Sequence, residues 1–397
     1  MLKEKLNILL AFTFTLPWMI SFLFSIHYPP YIEAFLSGIA VISASFLLSW
    51  AAETAEMDIP RSFSLALVAL VAVLPEYAVD VYLAYMAGTN PGSMYVHYAA
   101  ANMTGANRLL IGIGWSTVIL YSLFKTKKDR TRLDEGIRLE TSVLMLATAY
   151  SFILPIKGNI SLIDSVILIL IYFFYLSLTV KSPPEEFEVE GVPKYLCSLR
   201  KKTRRWAVVF FFAFSAFTIF ISVEAFAEGL IASAKILDVD PFIMVQWIAP
   251  LASESPELIV ALYLVKRMRL TASLNALISS KVNQWTLLIG TLAIVYSIAS
   301  YSPNPLPLDA RQKEEVLLTA AQSLFATAIL LDLSISRMEG ILLLLLFLIQ
   351  LFIPSMEVRL VVSAIYLILS VPILIRERRN IIKSFRYLYD LRRMNKY

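Results

Sequence analysis

Apolar residues follow one another along the chain in about twelve blocks, most of them about 20 residues long and separated by short polar stretches. A helix of about 20 residues spans the hydrocarbon core of a membrane. The pattern therefore predicts an all-α polytopic membrane protein with about 12 transmembrane helices. His27-Tyr28-Pro29-Pro30 follows the first block in place of a small-residue cleavage site, so we expect that block to be retained. The blocks are residues 6–26, 32–54, 62–86, 94–124, 139–155, 159–180, 206–236, 241–265, 271–300, 313–334, 338–354 and 357–375.

Composition agrees with this class and excludes others. Of the 397 residues, 58% are hydrophobic and 16% are charged, and the mean hydropathy is +0.70. A soluble domain of this size cannot bury so much apolar surface. The single Cys197 excludes an internal disulfide framework, and two histidines are too few for a His-rich metal centre. The sequence contains no nucleotide-binding, metalloprotease or nucleophile-elbow motif, so we expect no enzyme activity and no cofactor.

Basic residues are concentrated in alternate loops, and this orients the predicted bundle. Counting helices places these loops on the same side as Lys3 and Lys5, which the positive-inside rule makes cytoplasmic. We therefore expect a multi-pass plasma-membrane protein with both termini in the cytoplasm. Because the basic residues lie in loops between apolar blocks, their positions also argue against nucleic-acid binding. The basic loop residues are Lys125, Lys127, Lys128, Arg130, Arg132, Arg200, Lys201, Lys202, Arg204, Arg205, Lys266, Arg267 and Arg269.

Four segments follow from the distribution of apolar, proline and charged residues. They are an N-terminal half, a proline-rich and acidic cytoplasmic linker, a C-terminal half and a basic cytoplasmic tail. Membrane lipid is an expected partner, and the sequence does not predict the oligomeric state. The segments comprise residues 1–180, 181–205, 206–375 and 376–397.

An internal repeat relates the two halves. At an offset of 181 (256 − 75), Pro75-Glu76 aligns with Pro256-Glu257, and Pro60 aligns with Pro241. Beyond a loop the offset falls to 176 (283 − 107), and Asn107 then aligns with Asn283. Glu76 lies in the third block and Glu257 in the eighth, and these positions in the series differ by five, an odd number. The two copies therefore cross the membrane in opposite directions, as in the inverted repeats of secondary transporters.

The repeated glutamates are the strongest candidates for chemistry. Glu76 and Glu257 lie inside apolar blocks, where a carboxylate costs several kcal/mol unless it has a function. Each follows a proline, which removes a helical hydrogen bond and frees the carbonyl four residues before it, at Val71 and Ala252. Such carbonyls and carboxylates are the hard oxygen ligands that calcium prefers.

Asparagines in the next helix of each repeat complete the predicted site. Asn107 and Asn283 each add an amide oxygen, which predicts a cation site near the midplane of the membrane. Two ionised glutamates neutralise one divalent ion, two monovalent ions or two protons. This charge balance favours an antiporter, in which one transported cation replaces another at the same site. Transported cations are therefore expected partners.

The paired segments resemble the α-repeats of the sodium/calcium exchanger branch of the calcium/cation antiporter superfamily. That family's repeat carries Gly-Thr/Ser-Ser-x-Pro-Glu, where this chain has Val-Ala-Val-Leu-Pro-Glu ending at Glu76 and Ala-Ser-Glu-Ser-Pro-Glu ending at Glu257. The resemblance covers roughly residues 32–124 and 206–300. It implies ten core helices, with one added at each end of this chain, and a secondary antiporter that moves calcium against sodium by alternating access. It also implies the cation ligands Glu76, Glu257, Asn107, Asn283 and Ser253.

Departures from the family pattern alter the predicted site. Ala72 and Val73 replace hydroxyl residues in the first repeat, whereas Glu254 replaces a serine in the second and lies three residues before Glu257. Asp80, four residues after Glu76, adds another acid, so we include Glu254 and Asp80 among the predicted metal-site residues.

Two bases also enter this region, Arg108 beside Asn107 and Lys281 two residues before Asn283. One hypothesis pairs Lys281 with Glu254 and Arg108 with Asp80 as structural ion pairs. The rival hypothesis makes Lys281 a built-in counter-ion that weakens divalent binding and favours proton coupling.

Other functions remain open at this stage. The missing hydroxyls and the additional acids favour a calcium/proton antiporter as the alternative to sodium coupling. An intramembrane enzyme, using paired glutamates as acid and base on a lipid, and a non-transporting scaffold are further alternatives. For Glu228 we expect a packing or entrance role more than a direct transport role, and for Tyr82 we expect packing.

Overall fold

Helices lie in all twelve predicted apolar blocks of the computed structural model, which describes residues 2–59, 74–182 and 190–393. The first part of the third block, up to residue 73, lies outside the described residues. The helices are α1 (Leu2–Leu23), α2 (Pro30–Ala55), α3 (Leu74–Thr89), α4 (Tyr95–Leu109), α5 (Ser116–Thr126), α6 (Arg138–Ser151), α7 (Ile153–Lys157), α8 (Leu162–Thr179), α9 (Gly191–Cys197), α10 (Lys201–Ile236), α11 (Pro241–Ser253), α12 (Ser255–Lys266), α13 (Leu270–Asn283), α14 (Ile289–Ala299), α15 (Ala310–Ile329), α16 (Arg337–Phe352), α17 (Met356–Arg376) and α18 (Arg378–Arg393).

Length and hydropathy mark eight helical segments of the described chain as able to cross a membrane, or nine if α11 and α12 form one broken span. Helix α15 carries four charged residues near its start, and α16 has only 16 residues, so neither is among the eight. The predicted all-α membrane class is confirmed. The number of about twelve spans stays a prediction.

The chain forms two compact units, and each unit contains equivalent parts of both repeats. Unit 1 comprises Met1–Leu83 and Ser182–Pro256, and unit 2 comprises Ala84–Lys181 and Glu257–Tyr397. The two stretches of unit 1 begin at Met1 and Ser182, and their offset (182 − 1) equals the repeat offset found in the sequence. Both predicted halves therefore contribute to both units, and α9, from the predicted linker, belongs to unit 1.

In unit 1, α2 and α10 pack against each other along small residues. A Cβ atom on Gly229 would lie 2.8 Å from the backbone nitrogen of Ala34, and one on Gly38 would lie 2.8 Å from the Phe226 ring. Glycine lets helix backbones approach this closely, as is common between membrane helices. Beyond the end of α2, Asp58 accepts hydrogen bonds from Nε and Nη2 of Arg204 at 2.8 and 2.9 Å.

The described part of unit 2 contains two short antiparallel strand pairs and two π-helical turns. Strand β1 (Arg130–Arg132) pairs with β4 (Ser334–Ser336), and β2 (Asn159–Ile160) pairs with β3 (Leu306–Pro307). Each pair joins two loops that the sequence places on the same side of the membrane. The pairing therefore agrees with the predicted alternation of loops within this unit.

The π-helical turns π1 (Leu110–Trp115) and π2 (Gln284–Leu288) interrupt two long helical segments. Turn π1 follows α4 and precedes α5, whereas π2 follows α13 and precedes α14. Their large residues, Trp115 and Trp285, are fully buried in the apolar core of the unit. Single π-helical turns occur frequently at functional sites, and these two lie in equivalent parts of the repeats.

Candidate functional site

Glu76 and Asp80 lie on one face of α3 because four residues make about one helical turn. Their side chains are 2% and 0% exposed, so both predicted acids are buried in unit 1. Tyr82, on the same helix, donates a hydrogen bond of 2.8 Å to Oε1 of Glu228 on α10. Val71, Ala72, Val73 and Pro60 lie outside the described residues, so the freed Val71 carbonyl and the missing hydroxyls stay sequence predictions.

The second Pro-Glu segment is interrupted at Glu254. Helix α11 ends at Ser253 and α12 begins at Ser255, where Pro256 supplies no backbone N–H. The backbone N–H of Glu254 donates to the Pro250 carbonyl at 2.8 Å, which closes the last turn of α11. Broken helices of this kind place backbone carbonyls and side chains at the ion sites of transporters.

Side chains around this break have the character of cation ligands. Ser253 and Glu254 are 3% and 2% exposed, and Glu257 is half-buried. The Ser253 hydroxyl donates to the Ala249 and Pro250 carbonyls at 3.3 Å, which leaves its oxygen lone pairs available to a cation. Within the described residues, α3 and α12 therefore carry the two Pro-Glu pairs of the repeat.

Asn107 and Lys281 are in direct contact in unit 2. The Lys281 ammonium donates to Oδ1 of Asn107 at 2.8 Å and to the Asn107 carbonyl at 3.1 Å. Nδ2 of Asn107 donates to the Met103 carbonyl at 2.8 Å, so the orientation of the amide is fixed. Lys281 also lies 4.4 Å from the centroid of the Trp285 ring, and its side chain is fully buried.

Arg108, the neighbour of Asn107, belongs to a buried charge network. It pairs with Glu315 on α15 and donates to Oε1 of Gln350 on α16 at 2.8 Å. Arg359 on α17 pairs with Glu315 as well and lies 3.0 Å from Glu314. Two arginines and two glutamates balance one another, which satisfies the requirement that buried charges be paired.

Sequence reasoning did not identify Glu314, Glu315 or Arg359 as members of this network. The signal that could have identified them is that these three charged residues lie inside apolar blocks, close to the ends of the blocks. The pairs that we predicted, Lys281 with Glu254 and Arg108 with Asp80, join residues of different units and stay predictions.

The predicted ligands divide between the units. Unit 1 holds Glu76, Asp80, Ser253 and Glu254, whereas unit 2 holds Asn107, Glu257 and Asn283. Within residues 2–59, 74–182 and 190–393, no group of three or more His, Cys, Asp or Glu side chains is arranged to hold a metal ion. The single cation site predicted from all seven residues stays a prediction.

Comparisons with known proteins agree with the repeated architecture. A family model described as sodium/calcium exchanger protein matches residues 30–181 and 207–356, one stretch in each half of the chain. A crystal structure of the H+/Ca2+ exchanger CAX is 61% identical in sequence, covers 98% of each chain and gives a TM-score of 0.95. No curated protein sequence matches the chain.

More distant structures have the same fold. The sodium-calcium exchanger NCX_Mj, soaked with 2.5 mM Na+ and 0.1 mM Ca2+, is 21% identical over 82% of this chain and 98% of its own, with a TM-score of 0.51. Native YfkE is 14% identical over 91% of this chain and 99% of its own, with a TM-score of 0.62. At these identities the likeness concerns the fold alone.

Proposed function

The chain belongs to the sodium/calcium exchanger protein family, and we propose that it is a secondary antiporter that exchanges calcium for protons. The observation that carries this proposal is the similarity to the H+/Ca2+ exchanger CAX, which extends over 98% of both chains at 61% identity. Proton coupling is therefore better supported than the sodium coupling that the motifs first implied. We therefore propose a transport function, and neither an intramembrane enzyme nor a non-transporting scaffold.

Glu76 and Glu257 carry the exchanged charge in this proposal. One calcium ion balances two carboxylates, and two protons balance them equally, so the site has the same net charge with either load. Asn283 and Ser253 supply neutral oxygens, because calcium takes six to eight oxygen ligands. The buried positions of Glu76, Ser253 and Asn283 support this assignment.

Asp80 and Glu254 are two further carboxyl groups that can bind protons in the exchange. Both are buried, at 0% and 2% exposure, and a buried carboxylate requires either a nearby cation or a proton. We propose that they share the two exchanged protons with Glu76 and Glu257 when calcium leaves, so that the charge balance is kept. Proton binding needs no hydroxyl cage, which agrees with Ala72 and Val73 at the positions where the family has hydroxyl residues.

Alternating access requires a gate, and we assign it to α2 and α10. The close approach of Gly229 to Ala34, and of Gly38 to Phe226, supports movement of these two helices as one body. The site is then open to one side of the membrane at a time. We further propose a plasma-membrane location with both termini in the cytoplasm, which the basic loops support.

Sodium/calcium exchange is the second candidate. Ser253 favours it, because its hydroxyl occupies the position of the family's Thr or Ser, whose oxygens join cation coordination. The fold likeness to NCX_Mj adds no argument about the coupling ion at 21% identity.

Calcium uptake by proteoliposomes that contain the purified full-length chain tests both candidates. A proton gradient and a sodium gradient are imposed separately, and radioactive calcium is counted inside the vesicles. We expect uptake with the proton gradient and none with sodium alone. Uptake with sodium alone would establish the second candidate, and no uptake with either gradient would reject both.

Glutamate variants connect this transport to the site. We expect Glu76→Gln and Glu257→Gln each to reduce uptake to the level of empty vesicles, because one charge of the pair is lost. Glu357→Gln, which changes an exposed glutamate at the start of α17, is the matched control and should retain uptake. Equal uptake by all three variants would contradict the assignment of the two glutamates.

A further inference from the structure

Lys281 directs a positive charge at an oxygen that the family pattern assigns to a transported cation. Its ammonium donates to two oxygens of one residue, Oδ1 and the backbone carbonyl of Asn107, at 2.8 and 3.1 Å. The face of the Trp285 indole lies 4.4 Å away. Hydrogen-bond acceptors and an aromatic face are the surroundings that stabilise an ammonium group away from water.

We propose that Lys281 is a tethered cation that occupies Asn107 in place of a transported monovalent ion, and thereby excludes sodium from the transport cycle. The proposal deepens the proposed function and rests on it, because it explains why the coupling ion would be the proton. Lys281 acts here as a specificity-determining residue. The transported calcium ion and protons bind to other residues.

Asn107 is well suited to bind such a cation because it cannot turn its oxygen away. Its Nδ2 donates to the Met103 carbonyl at 2.8 Å, and its side chain is fully buried. The oxygen is therefore held towards Lys281. A sodium ion that used the same oxygen would lie within about 5 Å of the ammonium, where the repulsion between like charges is strong at low dielectric.

Comparison of the two repeats shows that this cation is present in only one copy. At the offset that aligns Asn107 with Asn283, Lys281 aligns with Gly105, which has no side chain. The second repeat therefore supplies a charge that contacts the asparagine of the first, and the first repeat supplies no equivalent lysine. In this proposal Asn283 binds the transported calcium ion, whereas Asn107 binds Lys281. The site is therefore asymmetric.

Removal of the charge tests the proposal. In the purified full-length chain, Lys281→Met should make calcium uptake sensitive to sodium. Adding sodium should change the rate of calcium uptake by this variant by about tenfold or more. Lys281→Arg, which keeps the charge, should remain insensitive to sodium. Lys235→Met, which removes an exposed lysine at the end of α10, is the control for loss of a charge elsewhere.

A double variant locates the effect. If the sodium ion gained by Lys281→Met binds the oxygen of Asn107, Lys281→Met/Asn107→Leu should lose the sodium sensitivity again. Retention of sodium sensitivity in the double variant would show that sodium binds elsewhere and would overturn the proposal. A folded Lys281→Met protein that transports calcium without any response to sodium would overturn it as well.

A binding measurement separates this proposal from the proposed function. Sodium should raise the unfolding temperature of Lys281→Met in detergent and leave that of the wild type unchanged, whether or not either protein transports calcium. If Lys281→Met does not fold, Lys281→Gln keeps a hydrogen-bond donor without the charge and serves in the same assay. No sodium response in the neutral variant rejects the tethered cation, whereas absent proton-driven uptake in the wild type rejects only the proposed function.

Discussion

Arg108 and Glu315 form an ion pair in which neither side chain is exposed to solvent. The pair links α4, immediately after Asn107, to α15, and Arg359 joins it from α17. Removing one member of a buried ion pair is costly, because the remaining charge loses its compensation. The network therefore fixes the helix that carries Asn107 by electrostatics as well as by packing.

We expect Glu315→Gln to lower the free energy of unfolding by about 3–5 kcal/mol, because Arg108 and Arg359 then share fewer negative charges. Thermal unfolding of the purified protein in detergent measures the change. Glu357→Gln, at an exposed position, should leave the unfolding temperature nearly unchanged. A Glu315→Gln protein as stable as the Glu357→Gln control would show that the pair adds little to stability.

A second prediction concerns the contact between α2 and α10. We expect Gly229→Ala to destabilise the protein by about 1–3 kcal/mol, because the added methyl group meets backbone atoms that cannot move aside. The nearest of these, the nitrogen and Cα of Ala34, would lie 2.8 and 3.0 Å from the new Cβ. The measurement is thermal unfolding in detergent.

Gly92→Ala is the matched control for this contact, since a Cβ at Gly92 would meet no atom within 4 Å. The control should unfold at the wild-type temperature. If Gly229→Ala behaved as this control does, the two helices would have to be farther apart than the structure shows.

The third prediction concerns pH. Hydrogen bonds from Arg204 lower the pKa of Asp58, which lies beyond the end of α2. The unfolded chain has an aspartate pKa of about 3.9, so the ionised Asp58 stabilises the fold above that pH. This contribution is lost as the pH falls through the lowered pKa of the folded state.

We therefore expect the wild type to unfold at a higher temperature than Asp58→Asn near pH 7. The difference should shrink as the pH falls below about 4, since the unfolded carboxyl group is protonated first and the folded one follows as the pH passes its lowered pKa. Unfolding temperatures of both proteins, measured from pH 7 to pH 3, provide the check. A difference that stayed constant over this range would mean that the Asp58 charge does not contribute.

The fourth prediction concerns sidedness. With Cys197 replaced by Ser, cysteines are introduced at Lys128, beside β1, and at Asn304, in the loop before β3; both positions are exposed. A maleimide that cannot cross membranes should label Asn304→Cys in intact cells. It should label Lys128→Cys only in inverted vesicles. The reverse result would invert the proposed topology.

Much of the fold is readable in the sequence because apolar blocks and a repeat of nearly constant offset are local or periodic features. The Pro-Glu pairs and the two asparagines identified equivalent positions, and the family match to both stretches confirms the repeat. The sequence predicts one helix over residues 241–265 with a carbonyl freed by Pro256, and it does not predict the interruption at Glu254.

Partners that are far apart in sequence could not be predicted. Arg108 donates to Gln350, which is 242 residues away, and hydropathy carries no signal for such a pair. The π-helical turns π1 and π2 lie inside the continuous apolar blocks 94–124 and 271–300, so the hydropathy pattern does not reveal them. Both features depend on tertiary packing.

Movement of protons in response to calcium tests the central claim most directly. Proteoliposomes loaded with a pH-sensitive dye receive external calcium, with no sodium present and with no imposed proton gradient. We predict that the vesicle interior becomes alkaline as calcium enters and protons leave, and that Glu76→Gln and Glu257→Gln abolish this change while Glu357→Gln retains it. Calcium entry without any change in internal pH would contradict calcium/proton exchange.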